Sequence, residues 1–214
     1  MDIPRRRIMN RKRWVLVLSS VLLVAVGIVW FVYRPWALYW GATPEEIVRP
    51  MPGDSVMPHP TFNATRGTTI YAAPAHIWPW LVQMGYHRAG FYSYDRLDNG
   101  GVRSADSILP VYQNLEVGDR IPLTRSSTIP VAVLERERFL VLSFGGDESE
   151  GGFAAGTWAT GLYPVGSNET RLVTRLRARP RRLRVQLFMD FFEIVMMRKH
   201  MLGIKEPELA AVRK

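Results

Sequence analysis

Apolar and polar positions fall into three regimes along the chain. From Trp14 to Tyr33, 20 residues pass without a charge, WVLVLSSVLLVAVGIVWFVY. At 1.5 Å per residue such a helix is about 30 Å long, the thickness of a bilayer's hydrocarbon core. Trp14 stands at one end, and Trp30, Phe31, Tyr33, Trp36, Tyr39 and Trp40 crowd the other, the arrangement of interfacial aromatic belts. A cleaved signal peptide has a shorter apolar region ending at small residues. The pattern therefore predicts an uncleaved transmembrane helix over 14–34, behind a basic tail at 1–13. From 35 to 66 periodicity is lost. Pro44, Pro50, Pro52, Pro58 and Pro60 forbid a long helix, which predicts a semi-extended tether with one helical turn, capped by Thr43, at 43–46.

The third regime, 67–205, reads as a single α+β domain, followed by a tail at 206–214. A strand over 68–71 precedes a helix over 74–84, where Ile77, Trp80, Leu81 and Met84 recur at helical spacing. Pro79 is expected to bend that helix. A loop-rich stretch follows as far as Glu116. Short β runs come next, at 120–123, 129–134, 139–144, 157–163 and 170–179. In the last run Leu172, Thr174, Leu176 and Ala178 alternate with Arg171, Val173, Arg175, Arg177 and Arg179. One buried and one wet face mark an antiparallel sheet. Residues 181–202 read as one long amphipathic helix, with Leu187, Phe188, Phe191, Phe192, Ile194, Val195 and Met201 opposed by Arg184, Asp190, Glu193, Arg198 and Lys199.

Charge sharpens this division. The net charge of +9 is concentrated at the N-terminus: residues 1–34 carry seven basic side chains and one acidic, leaving 21 and 18 for the remainder. The excess is a topological signal and does not indicate a nucleic-acid surface. Six basic residues precede the span and only Arg34 and Arg49 follow closely, so the positive-inside rule places the N-terminus in the cytoplasm and the domain outside, as a single-pass protein. The absence of cysteine excludes disulfides, thiol catalysis and thiolate metal sites. The four histidines never take metal-ligand spacing, so neither a metal nor a cofactor is expected. Arginine outnumbers lysine 24 to 4, a composition associated with bacterial genomes.

Specific words in the chain go further. WGAT at 40–43, MPGD at 51–54, IWPWLVQMG at 77–85, RAGFYSYDRLDN at 88–99 and VGDRIPL at 117–123 resemble membrane-associated bacterial members of the SRPBCC superfamily. That group includes START-type lipid carriers and polyketide cyclase/dehydrase proteins. The resemblance covers roughly 40–205 and implies a helix-grip (START/Bet v 1-like) fold, an antiparallel sheet wrapped around the long C-terminal helix and enclosing an apolar cavity. It implies a hydrophobic small molecule or lipid as partner. It brings no shared catalytic motif.

Candidate chemistry concentrates in 88–98. Arg88, Tyr92, Tyr94 and Asp95 are expected to orient a ligand, or, in an enzyme of the cyclase kind, Asp95 with Tyr92 or Tyr94 to do acid–base work. The competing structural role is that Ser93 or Asp95 caps a short helix while the tyrosines pack against the sheet. Trp158, Phe188 and Phe192 are expected on the apolar wall, with plain core as their alternative. The arginines at 171–184 read as a solvated face. The acidic loop Asp147-Glu148-Ser149-Glu150 reads as a solvated loop, with a cavity lid as its alternative.

Overall fold

The computed structural model describes the backbone of residues 10–145 and 153–212; the acidic loop lies outside them. The chain divides into two compact units, Met1–Trp36 and Ala37–Lys214. In the first, helix α1 (Arg11–Ile28) starts where the Asn10 side chain accepts a hydrogen bond from the Lys12 amide, and none of its residues is buried. A π-helical turn (Val29–Tyr33) leads into α2 (Arg34–Tyr39). The combined run Arg11–Tyr39 is long and apolar enough to cross a membrane.

The second unit is α+β. Its strands are β1 (Phe62–Ile70), β2 (Arg120–Pro122), β3 (Thr128–Glu135), β4 (Phe139–Phe144), β5 (Phe153–Gly166) and β6 (Glu169–Pro180). They form an antiparallel sheet in the order β1-β6-β5-β4-β3-β2. Short helices α3 (Pro44–Val48), α4 (Pro74–Val82) and α5 (Asp95–Asp98) precede β2, and α6 (Leu183–Phe191) and α7 (Glu193–Val212) close the chain. The predicted period-2 runs all become strands. On β1 and β6, Phe62, Ala64, Ile70, Leu172, Leu176 and Ala178 are buried in one core with Ile77 and Leu81 of α4 and Met201 and Ile204 of α7. Nine or more strand pairs in β1/β6 and β5/β6 make this the best-paired part of the sheet.

Three expectations are corrected. First, residues 41–61 are not a free tether. α3 forms with the anticipated cap, Thr43 and Glu46 exchanging side-chain-to-amide hydrogen bonds, but the segment lies on the sheet's outer face and β1 begins at Phe62. Second, the arginine run at 171–184 is solvated only in its later part: Arg175 is buried and Arg171 and Arg177 half-buried, whereas Arg179, Arg181, Arg182 and Arg184 are exposed. Arg171 meets the Glu46 carboxylate at 2.7 Å. Arg175, 3% exposed, donates to the carbonyls of Glu46, Ile47 and Arg49 and to Asp54. Arg177 reaches Asp54 and the Met57 carbonyl, and Arg179 the His59 carbonyl. A proline-rich segment has carbonyls that no helix or strand satisfies, and the arginine row supplies their donors. Despite burial, Arg171 and the Thr43 amide hold the Glu46 carboxyl below its ordinary range.

Third, the long C-terminal helix is two helices. Phe192 leaves helical geometry at φ −115°, and the face that meets the core shifts at that point. Asp190 and Glu193, expected on the polar side, are buried, whereas Phe188, Phe192 and Val195 are exposed. α7 also continues to Val212, past the expected end of the domain at 205.

α7 meets the segment 91–93 at three successive turns. The Ser93 hydroxyl donates to the Met196 carbonyl at 3.0 Å, and His200 Nδ1 lies 2.6 Å from the Phe91 carbonyl. Gly203 packs directly on the Tyr92 backbone, where a Cβ would collide with the Tyr92 carbonyl oxygen. Gly203→Ala therefore opposes two effects. Helix propensity favours alanine by about 1 kcal/mol, whereas overpacking against fixed backbone costs about 1–3 kcal/mol. The collision is with main chain, which cannot rotate away, so the variant should melt at lower temperature than the parent; an unchanged or raised midpoint would contradict this packing.

Candidate functional site

Between the sheet and the two C-terminal helices lies a cavity of about 380 Å³. Ile129 of β3, Phe144 of β4, Trp158 of β5 and Leu176 of β6 form its floor, and Met189, Met196 and Met197 its roof. Phe91 closes one side, its ring stacked 6.3 Å from Trp158. Leu123, Thr124 and Phe188 sit at the exposed end. Protein interiors seldom leave room for more than single waters. A void of this size and character falls in the range of ligand sites.

Among the described residues, three titratable side chains reach the wall: Asp98, Glu193 and His200. Burial raises the Asp98 carboxyl above its ordinary range, and its Oδ1 is buried without a hydrogen-bond partner. Burial also raises Glu193, against the opposing pull of Arg66, whose Nη1 and Nη2 lie 3.0 and 2.7 Å from the carboxylate oxygens. His200 is wholly enclosed, its ring edge-on to Trp158 at 5.3 Å. Burial lowers its imidazole to about 4, with the Phe91 carbonyl acting in the other direction. A carbonyl accepts and cannot donate, so Nδ1 carries the proton and the ring is neutral near pH 7. The Trp158 indole N–H is buried with no partner.

The side chains expected to bind a ligand are only partly brought together. Trp158 and Phe188 line the cavity. Phe192 stacks on Phe188 at 6.4 Å but is 62% exposed. The polar candidates lie elsewhere. Arg88 donates to the Val82 carbonyl, stacks over Tyr112 at 4.6 Å and lines a separate polar groove with Asp119 and Arg120. Tyr92 is buried, donates to the Trp80 carbonyl and accepts from Gln83; burial raises its phenol, which stays protonated. Tyr94 is exposed. Asp95 opens α5 and accepts from the Ser104 amide and hydroxyl at 3.1 and 2.6 Å. Within 88–98 the cavity takes Phe91, Ser93 and Asp98 instead. His200 and Glu193 were missed as well. Within α7 a helical-spacing signal existed, since Glu193, Met197 and His200 recur at i, i+4 and i+7, but two polar members beside one apolar residue masked it. Among the described residues, no group of three or more His, Asp or Glu side chains is arranged to hold a metal ion.

No protein-family model matches the chain, and no curated protein sequence matches it. Among solved structures it is similar to a protein from Nitrosospira multiformis, at 12% identity over 72% of this chain and 100% of that one, TM-score 0.49. It is also similar to a Thermobifida fusca protein, at 8% identity over 68% and 92%, TM-score 0.46. A third is norcoclaurine synthase from Thalictrum flavum, at 12% identity over 70% and 95%, TM-score 0.42. Likeness this distant carries neither substrate nor reaction to this chain.

The neutral state of His200 has a pH consequence. The unfolded imidazole takes a proton near pH 6.5 and the folded one only near 4. Stability is therefore lost as pH falls through that window, by about 2 kcal/mol between roughly pH 7 and pH 5. His200→Asn retains a donor for the Phe91 carbonyl and does not titrate. Denaturant midpoints of the two proteins should diverge over that interval; parallel curves would mean that folding does not lower the His200 imidazole.

Proposed function

We propose that this chain is a membrane-anchored, helix-grip ligand-binding domain that takes a hydrophobic small molecule or lipid between its sheet and C-terminal helices. The carrying observation is the cavity itself, an apolar void of about 380 Å³ between the sheet and the C-terminal helices. A strand–helix–meander–helix order and a sheet with β1 beside β6 support the helix-grip description. The resemblance of 77–99 to SRPBCC proteins agrees with it. The cyclase-like alternative built on Asp95 and Tyr92 or Tyr94 loses its support, because none of the three lines the cavity.

The anchor reading rests on the helix Arg11–Tyr39 and on the basic cluster before it. In this reading 1–13 is cytoplasmic tail, 14–34 spans the membrane, and the domain, with 37–61 folded onto it, works outside the cytoplasm beside a lipid reservoir. Alkaline phosphatase fused after Lys214 should then be active in a bacterial host; an inactive fusion with an active cytoplasmic reporter would reverse the orientation.

Binding is tested with the full chain in nanodiscs and 1-aminoanthracene, whose fluorescence rises in apolar surroundings. Met197→Trp puts an indole into the cavity and serves as the blank, which cancels partition into lipid. The parent should give saturable enhancement above that blank. Equal signals from parent and Met197→Trp would remove the ligand-binding reading.

A further inference from the structure

The polar groups on the cavity wall are unequal in kind, and the imbalance selects a ligand. Among the described residues, no lysine or arginine lines the cavity. Arg66, the guanidinium that touches a wall residue, is already committed: Nε donates to the Ala37 carbonyl at 2.8 Å, and both terminal nitrogens face Glu193. It is 1% exposed and has no face to offer a ligand. The Ser93 hydroxyl proton is directed at the Met196 carbonyl. His200 uses its Nδ1 proton on the Phe91 carbonyl, which leaves Nε2 as a bare acceptor on a wall residue. Asp98 contributes carboxyl oxygens, one of them buried and unpartnered. The enclosed end, where Phe91, Trp158, Met197 and His200 are all less than 10% exposed, thus sets the bare His200 acceptor near one unpaired donor, the Trp158 indole N–H, and the wall as a whole carries two carboxyl groups and no cation.

We propose that the cavity selects an apolar alcohol, bound with its hydroxyl inward and donating to His200 Nε2, and that it rejects the corresponding carboxylate. The apolar body lies against Ile129, Trp158, Leu176 and Met197. A carboxylate can accept from the Trp158 indole N–H but cannot donate to His200, and it brings a negative charge to a water-poor site that already holds Asp98 and Glu193, with no cation on the wall to meet it. A hydroxyl can donate to the imidazole and accept from the indole. A plain hydrocarbon fits the walls but leaves the imidazole acceptor unpaired. This inference rests on the cavity being a ligand site, and its test separates the two.

Decanol, decanoate and decane are compared as competitors of 1-aminoanthracene on the full chain in nanodiscs, with Met197→Trp as blank. Decanol should displace the probe at about tenfold lower concentration than either of the others, as one hydrogen bond to a buried acceptor predicts. In His200→Asn that preference over decane should shrink to about twofold while the probe still binds. Asp98→Asn, which leaves α7 untouched, should strengthen decanoate several-fold and leave decanol unchanged. Decanoate binding as well as decanol in the parent would overturn the proposal, as would an alcohol preference that survives His200→Asn or a decanoate affinity indifferent to Asp98→Asn. Displacement by none of the three, with the probe bound, overturns this inference and leaves the cavity reading intact. Failure of the probe itself to bind removes both.

Discussion

The buried ion pair between Arg66 and Glu193 is the contact on which the geometry of the domain turns. Arg66 is the one charged residue on the inner face of β1, opposite Thr174 of β6, and Glu193 is the first residue of α7. Two charges removed from water are costly, and their attraction offsets that only when the geometry is close to ideal. Here Nη1 donates to Oε1 at 3.0 Å, Nη2 lies 2.7 Å from Oε2 without the alignment of a hydrogen bond, and Nε donates to the Ala37 carbonyl at the end of the N-terminal helical run. One side chain therefore ties together the start of the second unit, an edge strand and the C-terminal helix. It also explains why a carboxyl can sit on the wall of an apolar cavity: Glu193 belongs to the pair first and to the wall second.

The outer face has a different logic. Its row of arginines at alternate positions of β6 predicts the strand and its two faces from sequence alone, because period-2 alternation follows from the pleat. What covers that face is not encoded in the alternation. An arginine row facing water and one facing a proline-rich segment have the same pattern. The difference lies in the carbonyls of 46–59, the first of them at the C-terminal end of α3 and the rest in proline-rich chain without regular structure, which must find donors. Gly67 belongs to the same arrangement, since a Cβ there would meet Glu46 and Arg171. A stretch that reads as a linker by composition is, by hydrogen bonding, part of the domain.

The site was less legible than the fold for two physical reasons. The break at Phe192 falls in a run whose residues all tolerate a helix, so nothing in propensity or spacing marks it; it shifts the phase of everything before Glu193, and a helical projection drawn through 181–202 assigns Asp190 and Glu193 to the wrong side. The second reason concerns 88–98. Its tyrosines and Asp95 have the composition of a binding site, but Tyr92 is spent on Gln83 and Trp80 and Asp95 on Ser104, while Tyr94 faces outward. Gln83, itself fully buried, also holds the Leu109 amide and the Ser107 carbonyl. The segment is a strap. Tyr92 sits at φ +55°, a conformation few non-glycine residues adopt, because its carbonyl must turn toward Gly203 while its amide meets the Ser104 hydroxyl.

These contacts also explain why a void persists where a core would be expected to collapse. α7 is pinned at Glu193 by Arg66 and again at His200 and Gly203 by the strap. The interval from 193 to 200 is two helical turns, about 10 Å, and the cavity lies beneath it. A helix held at both ends of so short an interval cannot settle onto the sheet, and the sheet below it is fixed by the β5–β6 ladder. What remains adjustable is the side chains hung from that interval, and these are Met196 and Met197, with Met189 before the break. Methionine is unbranched and repacks at little cost, so the roof can conform to an apolar body while the backbone stays still. The polar end has no such freedom: His200 is fixed by its own hydrogen bond and by the edge of Trp158. A rigid acceptor beneath a compliant roof is tolerant of ligand shape and strict about the group at its inner end.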